Sequence, residues 1–313
     1  MLAPTIRSLA KQIPCSRRVI SSLRKLRSDT LHGMTSREEQ TYFRTYVRKS
    51  FSGEGEIVDL GCWLGSTTIP LAQGLRRNRN RRVTGKRVHA YDLFTWEEWM
   101  DPYMGGCARH YSPGESFLEE YESRTRRYSK LIAVHPGDLS QIGWSGQPIE
   151  VLLVDAMKSW ELAKSIVEIF YCSLLPQKSI LIHQDFKHYY CPWIHLIQYK
   201  LKDYFILEQD IPNSGSVVFR LKRRIDCDLS WLKNLRSLND QEVNAAFEYA
   251  MSLLGEKSGG VAAAHIMYFI HLDMIEKAKD TFDKFVQEGF PVKYDLKIVQ
   301  NILATKWIRY STV

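Results

Sequence analysis

Val58-Asp59-Leu60-Gly61-Cys62-Trp63-Leu64-Gly65-Ser66 joins a short apolar run to a turn with two glycines, and Thr67-Thr68 behind it can open a helix. Glu56–Leu60 is strand-like, so the local order is strand, glycine turn, helix. Glycine lets backbone pass close to a ligand, and a carboxylate at a strand end can serve a cationic one. Strand-like runs recur at 87–92, 131–135, 149–155 and 179–184, with helical periodicity at 117–128 and 161–174 between them. This alternation predicts a doubly wound, Rossmann-like and mostly parallel sheet with helices on both faces. A helix near 192–203 precedes runs at 204–209 and 216–221, whose turn-rich spacer predicts a closing antiparallel hairpin. The expected fold class is therefore α/β with a seven-stranded sheet.

Upstream, Ser36-Arg37-Glu38-Glu39 has the form of a capping box, and Tyr42, Phe43, Tyr46 and Val47 continue at helical spacing to about residue 50. Residues 1–36 carry seven basic side chains (Arg7, Lys11, Arg17, Arg18, Arg24, Lys25 and Arg27) against Asp29 alone. Such a segment reads as a solvated basic helix, a transit peptide or a contact for anionic lipid. Beyond about 225 the strand signals stop, and helical patterns follow at 240–254, 261–271, 274–288 and 296–308, punctuated by Gly255, Gly259, Gly260, Gly289 and Pro291. The expected division is a basic segment over 1–36, an α/β domain over 37–224 and a small helical domain over 225–313, the last a cap or homo-oligomerisation element.

The 313 residues are 44% hydrophobic and carry a net charge of +8, which favours acidic partners without choosing among them. Six scattered cysteines without a C-x-x-C pair suggest neither a zinc site nor a disulfide framework, and are expected as reduced, mostly buried thiols. No stretch approaches the ~20 apolar residues of a spanning helix. A soluble, cytoplasmic protein is expected, with peripheral contact to an anionic surface left open. The basic run Arg76–Arg82 should lie in the loop before the second strand, and it lacks the interleaved aromatics of a single-strand nucleic-acid platform. A small-molecule acceptor is thus ranked above RNA.

The form D-x-G-x-x-x-G, built from Asp59, Gly61 and Gly65, resembles the first motif of class I S-adenosylmethionine-dependent methyltransferases and departs from the dinucleotide fingerprint. That resemblance places Asp59, Gly61, Trp63, Gly65 and Ser66 beside the cofactor. It makes Asp92, with Leu93 next to it, the ribose ligand, since a carboxylate offers two acceptor oxygens. Asp138, in His135-Pro136-Gly137-Asp138, falls where the family contacts adenine, although Gly-Asp is also ordinary turn chemistry.

Asp155 after the fourth strand, and Gln184 and Asp185 after the fifth, resemble the metal-dependent O-methyltransferases, which implies Mg2+ held by Asp155, Gln184 and Asp185. The flanking text is similar to the macrocin O-methyltransferase group, but Met157 stands where that group has a second acid and Gln184 where an acid is expected. A metal-free site that orients the acceptor directly is the alternative. Asp155 and Lys158 are similar to the D-x-x-K of catechol O-methyltransferases, which makes Lys158 a base, with His183 its rival. Phe94, Trp96, Trp99, His188, Tyr189, Tyr190 and Trp193 are candidates for an acceptor pocket or for core packing. The implied activity is O-methylation of a hydroxyl on a sugar or secondary metabolite. The alternatives are a cofactor-binding protein without turnover and an RNA methyltransferase.

Overall fold

The computed structural model describes residues 33–311 except 235, 236 and 255–257. The basic-segment expectation for 1–36 therefore falls almost wholly outside the described residues, as does Gly255.

Seven strands form one sheet in the order β3-β2-β1-β4-β5-β7-β6. They are β1 (Glu56–Leu60), β2 (Val88–Asp92), β3 (Ile132–Pro136), β4 (Ile149–Val154), β5 (Ile180–His183), β6 (Phe205–Asp210) and β7 (Val217–Leu221). The first five pair in parallel, and β7 inserts antiparallel between β5 and β6. The strand between two parallel neighbours is buried on both faces and should read as a continuous apolar run, as Ile149–Val154 does.

Alternation along the strands separates two cores. Ile57, Val88, Val151 and Ile182 face one side, covered by α1 (Arg37–Lys49) and α2 (Thr68–Arg77), with α3 (Leu118–Thr125) contributing Tyr121. Val58, Tyr91, Leu152 and Leu181 face the other, covered by α4 (Trp160–Phe170) and α5 (Trp193–Lys200). The Ser36–Glu39 capping box starts α1 as its sequence predicts. Thr67 caps α2 without a side-chain bond of its own, because its hydroxyl is spent on Asp59.

Beyond β7 lie α6 (Asp240–Leu253), α7 (Gly259–His271), α8 (Ile275–Gln287) and α9 (Tyr294–Ser311). Their apolar residues, including Phe247, Ile266, Phe285 and Leu296, continue the core on the α4–α5 side of the sheet. No helix among the described residues is long and apolar enough to cross a membrane. Of the described cysteines only Cys62 and Cys191 are buried, fewer than expected, and all are free.

Candidate active site at the carboxyl edge of the sheet

Register brings four loops together, because Leu60 lies level with Tyr91 and Val154, and Val154 with His183. The ladder continues past the strands: Gly61 N–H donates to the Tyr91 carbonyl (2.8 Å), Asp155 N–H to Leu60 (2.8 Å) and Gln184 N–H to Val154 (3.0 Å). The loop after β1 turns back through left-handed backbone at Gly61 (φ 83°), Trp63 (φ 40°) and Gly65 (φ 85°). Glycine at 61 is required by packing, since a Cβ there would lie 2.5 Å from the Asp155 carbonyl oxygen. Trp63 has no such freedom, and its conformation costs about 1 kcal/mol or more.

Asp92 holds that strained turn. Its Oδ2 accepts from Trp63 N–H and its Oδ1 from Phe94 N–H, both at 2.8 Å. Phe94 is itself left-handed (φ 53°), so the carboxylate bridges two strained residues while each oxygen keeps a second acceptor site. Burial pushes its pKa up against these bonds. Leu93 beside it is 55% exposed, an apolar surface next to two carboxylate oxygens.

Asp59 lies beneath the loop. It is fully buried, and its Oδ2 accepts from Thr67 (2.9 Å) and Thr68 (2.6 Å) hydroxyls while Oδ1 has no partner among the described residues. Desolvation pushes its pKa up to about 7 despite both hydroxyls. The Ser66 hydroxyl is already paired with Thr35 (2.7 Å), and Asp138 Oδ1 accepts from Ser140 N–H (2.8 Å) in an exposed turn. The turn reading of Asp138 thus accounts for its side chain, and the Ser66 hydroxyl is engaged by Thr35.

On the other half of the edge, Lys158 stands between two carboxylates. Its ammonium donates to Asp155 Oδ1 (2.9 Å) and to Asp185 Oδ2, and Cys191 Sγ also approaches Asp185 Oδ2 (3.6 Å). The Asp155 and Asp185 side chains are each 17% exposed, whereas Lys158 is 43% exposed, so solvent reaches the cluster from the lysine side. Asp155 is pushed up to about 8, chiefly by desolvation, with Lys158 opposing and Asp185 reinforcing the shift. Burial acts on Asp185 too, but the Lys158 charge and hydrogen bond hold it below the usual carboxylate range. The two carboxylates overcome desolvation of Lys158 and raise its pKa well above the ordinary value.

This geometry bears on three expectations. The Mg2+ set does not fit: a lysine ammonium occupies the position between Asp155 and Asp185, and Gln184 Oε1 is buried without a partner rather than joined to them. No cluster of three or more His, Cys, Asp and Glu able to hold a metal occurs among the described residues. His183 is not a base at the site, because it points into the core on the α4–α5 side, fully buried against Phe186 and Phe219, with Nε2 3.3 Å from the Tyr171 hydroxyl. Desolvation pushes its pKa down to about 3. The expectation of Lys158 as a base meets its pairing with both carboxylates, which raises its pKa and favours the donor form, while desolvation pushes Asp155 up to about 8.

Of the aromatic candidates, Phe94, Trp96 and Trp193 are core residues, and Trp193 Nε1–H donates to the Met157 carbonyl (2.7 Å). Trp99 and Tyr190 are exposed. The sequence reading missed Tyr103, whose ring meets Trp63 edge-on at 5.9 Å. It also missed Glu39 of α1, buried and joined to Ser216 Oγ and to Ser36 N–H (2.6 Å), and Asp295 of α9, whose Oδ2 accepts from Tyr189 N–H (3.1 Å). The capping box marked Glu39 as helical, but only the fold shows it packed against the β6–β7 turn.

No family model matches the sequence, and neither does any curated protein. The solved structures to which the chain is similar include methyltransferases. One is the calicheamicin methyltransferase, 12% identical, covering 70% of this chain and 98% of its own at a TM-score of 0.38. A methyltransferase from Geobacter sulfurreducens is 12% identical over 69% of this chain and 93% of its own, with a TM-score of 0.39. The O-methyltransferase from Bacillus cereus in complex with SAH is 12% identical over 69% and 96%, with a TM-score of 0.36.

Proposed function

We propose that the chain is an S-adenosylmethionine-dependent methyltransferase that O-methylates a hydroxyl on a small molecule, a sugar or secondary metabolite. The observation that carries this reading is the Asp92 carboxylate, fixed at the strained turn by Trp63 N–H and Phe94 N–H, across the sheet edge from the Asp155–Lys158–Asp185 cluster. Asp59 Oδ1 in β1, and Trp63 Nε1 and Gln184 Oε1 in the loops after β1 and β5, are buried without a partner at the same edge.

When bound, S-adenosylmethionine supplies a methyl group on a positively charged sulfur, and its transfer to the acceptor oxygen leaves S-adenosylhomocysteine. Asp92 would hold the ribose hydroxyls through its free lone pairs, and exposed Leu93 would offer an apolar surface to the adenine. Lys158 donates a hydrogen bond to the acceptor oxygen and fixes its direction. Asp155, in its ionised form, takes the acceptor's proton, and Asp185 keeps Lys158 charged. The work is mainly positioning, with proton removal adding to it. Residues 37–224 would carry this chemistry, and residues 225–313 would brace the loop after β5 through Asp295.

The reading is tested by transfer of labelled methyl from S-adenosylmethionine to a panel of hydroxylated acceptors, in chelator and with added Mg2+. Equal turnover in both media supports it. Cofactor binding without turnover on any acceptor would favour the binding-protein alternative.

A further inference from the structure

The sheet has a second edge, opposite the one that gathers the carboxyl ends. β1, β2 and β3 are parallel and lie side by side in the order β3-β2-β1, so the segments that enter them meet at this amino edge. Residues 76–87, before β2, carry seven basic side chains and no acid. Residues 126–131, before β3, carry three and no acid, and residues 48–55, before β1, carry two against Glu54. This excess is larger than the net charge of +8 on the whole chain, and every one of these basic side chains except Lys86 is exposed. Contacts join the segments into one surface. Asn78 Nδ2 donates to the Val47 and Phe51 carbonyls and Asn80 Nδ2 to that of Ser52, each at 2.8 Å, and the Arg76 guanidinium lies over the Tyr128 ring, 4.7 Å from its centre. Little of the charge is neutralised. Glu150 is buried and engaged by the backbone N–H groups of Ser52, Glu54 and Gly55, and among the described residues only Arg82 (with Glu54, 3.5 Å) and Lys86 (with Glu56, 2.6 Å) of these basic groups have a carboxylate partner.

We propose that this amino edge is a docking surface for an anionic membrane, held by lipid phosphate and carboxylate groups without insertion into the bilayer. Charge selects an anionic partner, and arginine, which predominates in the three segments, pairs with phosphate through two N–H groups at once. Shape selects a plane of headgroups over a nucleic acid. No large apolar side chain of these segments is exposed, so there is neither a wedge for the bilayer nor a platform on which bases stack. Asn78 and Asn80 hold the loop before β2 down against the entry to β1, so it does not project as an element that reads a duplex groove. Position agrees: strands of five residues set the carboxyl edge about 17 Å away. A polyanion held here is not delivered to Asp155 and Lys158, whereas a docked protein keeps that edge open to solution. The proposal does not depend on the reaction at the carboxyl edge.

Sedimentation of the full chain with vesicles tests the proposal, with phosphatidylcholine alone set against phosphatidylcholine containing one third phosphatidylserine. Binding to the anionic vesicles only is expected, and it should disappear at high salt, where exposed charges are screened. Each basic side chain at such a surface contributes roughly fivefold in affinity, so Arg79→Ala with Arg81→Ala, or Arg126→Ala with Arg127→Ala, should weaken binding about tenfold or more. Lys233→Ala with Lys293→Ala, which removes two exposed charges outside the three segments, should leave it unchanged. Absence of binding to the anionic vesicles overturns the proposal. Undiminished binding by both arginine variants also overturns it, and assigns the attraction to other basic residues, those before 33 included. Preference for an RNA duplex over the anionic vesicles at matched negative charge overturns it in favour of nucleic acid.

Discussion

The two halves of the carboxyl edge are built by different means. Around β1 and β2, Asp92 and Asp59 fix backbone and hydroxyl groups within about 30 residues of themselves in the chain, all in neighbouring loops. Around β4 and β5, the reactive groups are side chains of opposite charge, and the loop that follows Asp185 is held by Asp295 from the last helix. A site half made of local backbone bonds survives changes elsewhere in the chain. A half made of paired charges braced from a distance is sensitive to each member of the pair and to the brace.

The largest expected difference between the halves is chemical. Asp155→Asn keeps the shape and removes the proton acceptor, so turnover should fall about 10²- to 10⁴-fold while S-adenosylmethionine affinity stays unchanged. Because the ionised form acts, the rate of the unaltered protein should rise with pH through about 8, and the variant should lose that limb. Steady-state kinetics across pH 6 to 9 read both.

A smaller effect is expected from the brace. Asp295→Ala removes the acceptor for Tyr189 N–H and leaves that donor without its partner, at a cost of about 1–3 kcal/mol in the loop after β5. The acceptor KM should rise several-fold with cofactor binding unaffected, as initial rates against acceptor concentration would show. An equal loss of cofactor affinity would erase the contrast between the halves.

Stability against acid should also divide the molecule. His183, His195 and His265, all on the α4–α5 side, are pushed down to about 3 by burial. The unfolded chain takes up these protons below about 6.5 and the folded chain does not, so this contribution is complete above pH 6.5 and declines as pH falls toward 3. Asp59, under the glycine turn, has the opposite sign: raised to about 7, it favours the folded state most below its unfolded pKa and loses that contribution as pH rises through 7. Asp155, raised to about 8, acts in the same direction as Asp59, so the histidine contribution is read by comparing the urea midpoint of the unaltered chain with that of a histidine variant between pH 6.5 and 5. His195→Leu should reduce the slope by up to about 1.4 kcal/mol per pH unit.

The strands were legible because their apolar runs and punctuating glycines are local: every expected strand occurs within one or two residues of its place. Asp92 was legible as an acid at a strand end, though its grip on Trp63 was not, since a tryptophan in left-handed backbone contradicts local preference. The resemblance grouped Asp155, Gln184 and Asp185 around a metal, whereas the structure joins Asp155 and Asp185 through Lys158 and leaves Gln184 apart, and whether a cation from solution or a lysine lies between two carboxylates depends on side-chain direction. His183 misled for the same reason, because one step along a strand exchanges the site for the core. Asp295 is 110 residues from Asp185 in the chain, and no local pattern marks it.

Calorimetric titration of S-adenosylmethionine into the unaltered chain, Asp92→Ala and Asp92→Asn most directly tests whether this edge is a cofactor site. Saturable one-to-one binding is expected for the unaltered protein. Asp92→Ala should weaken it about 100-fold or more, from two lost charge-assisted hydrogen bonds of about 1.5–3 kcal/mol each, and Asp92→Asn should fall between. Absence of binding to the unaltered chain, or equal affinity in folded Asp92→Ala, would contradict the account.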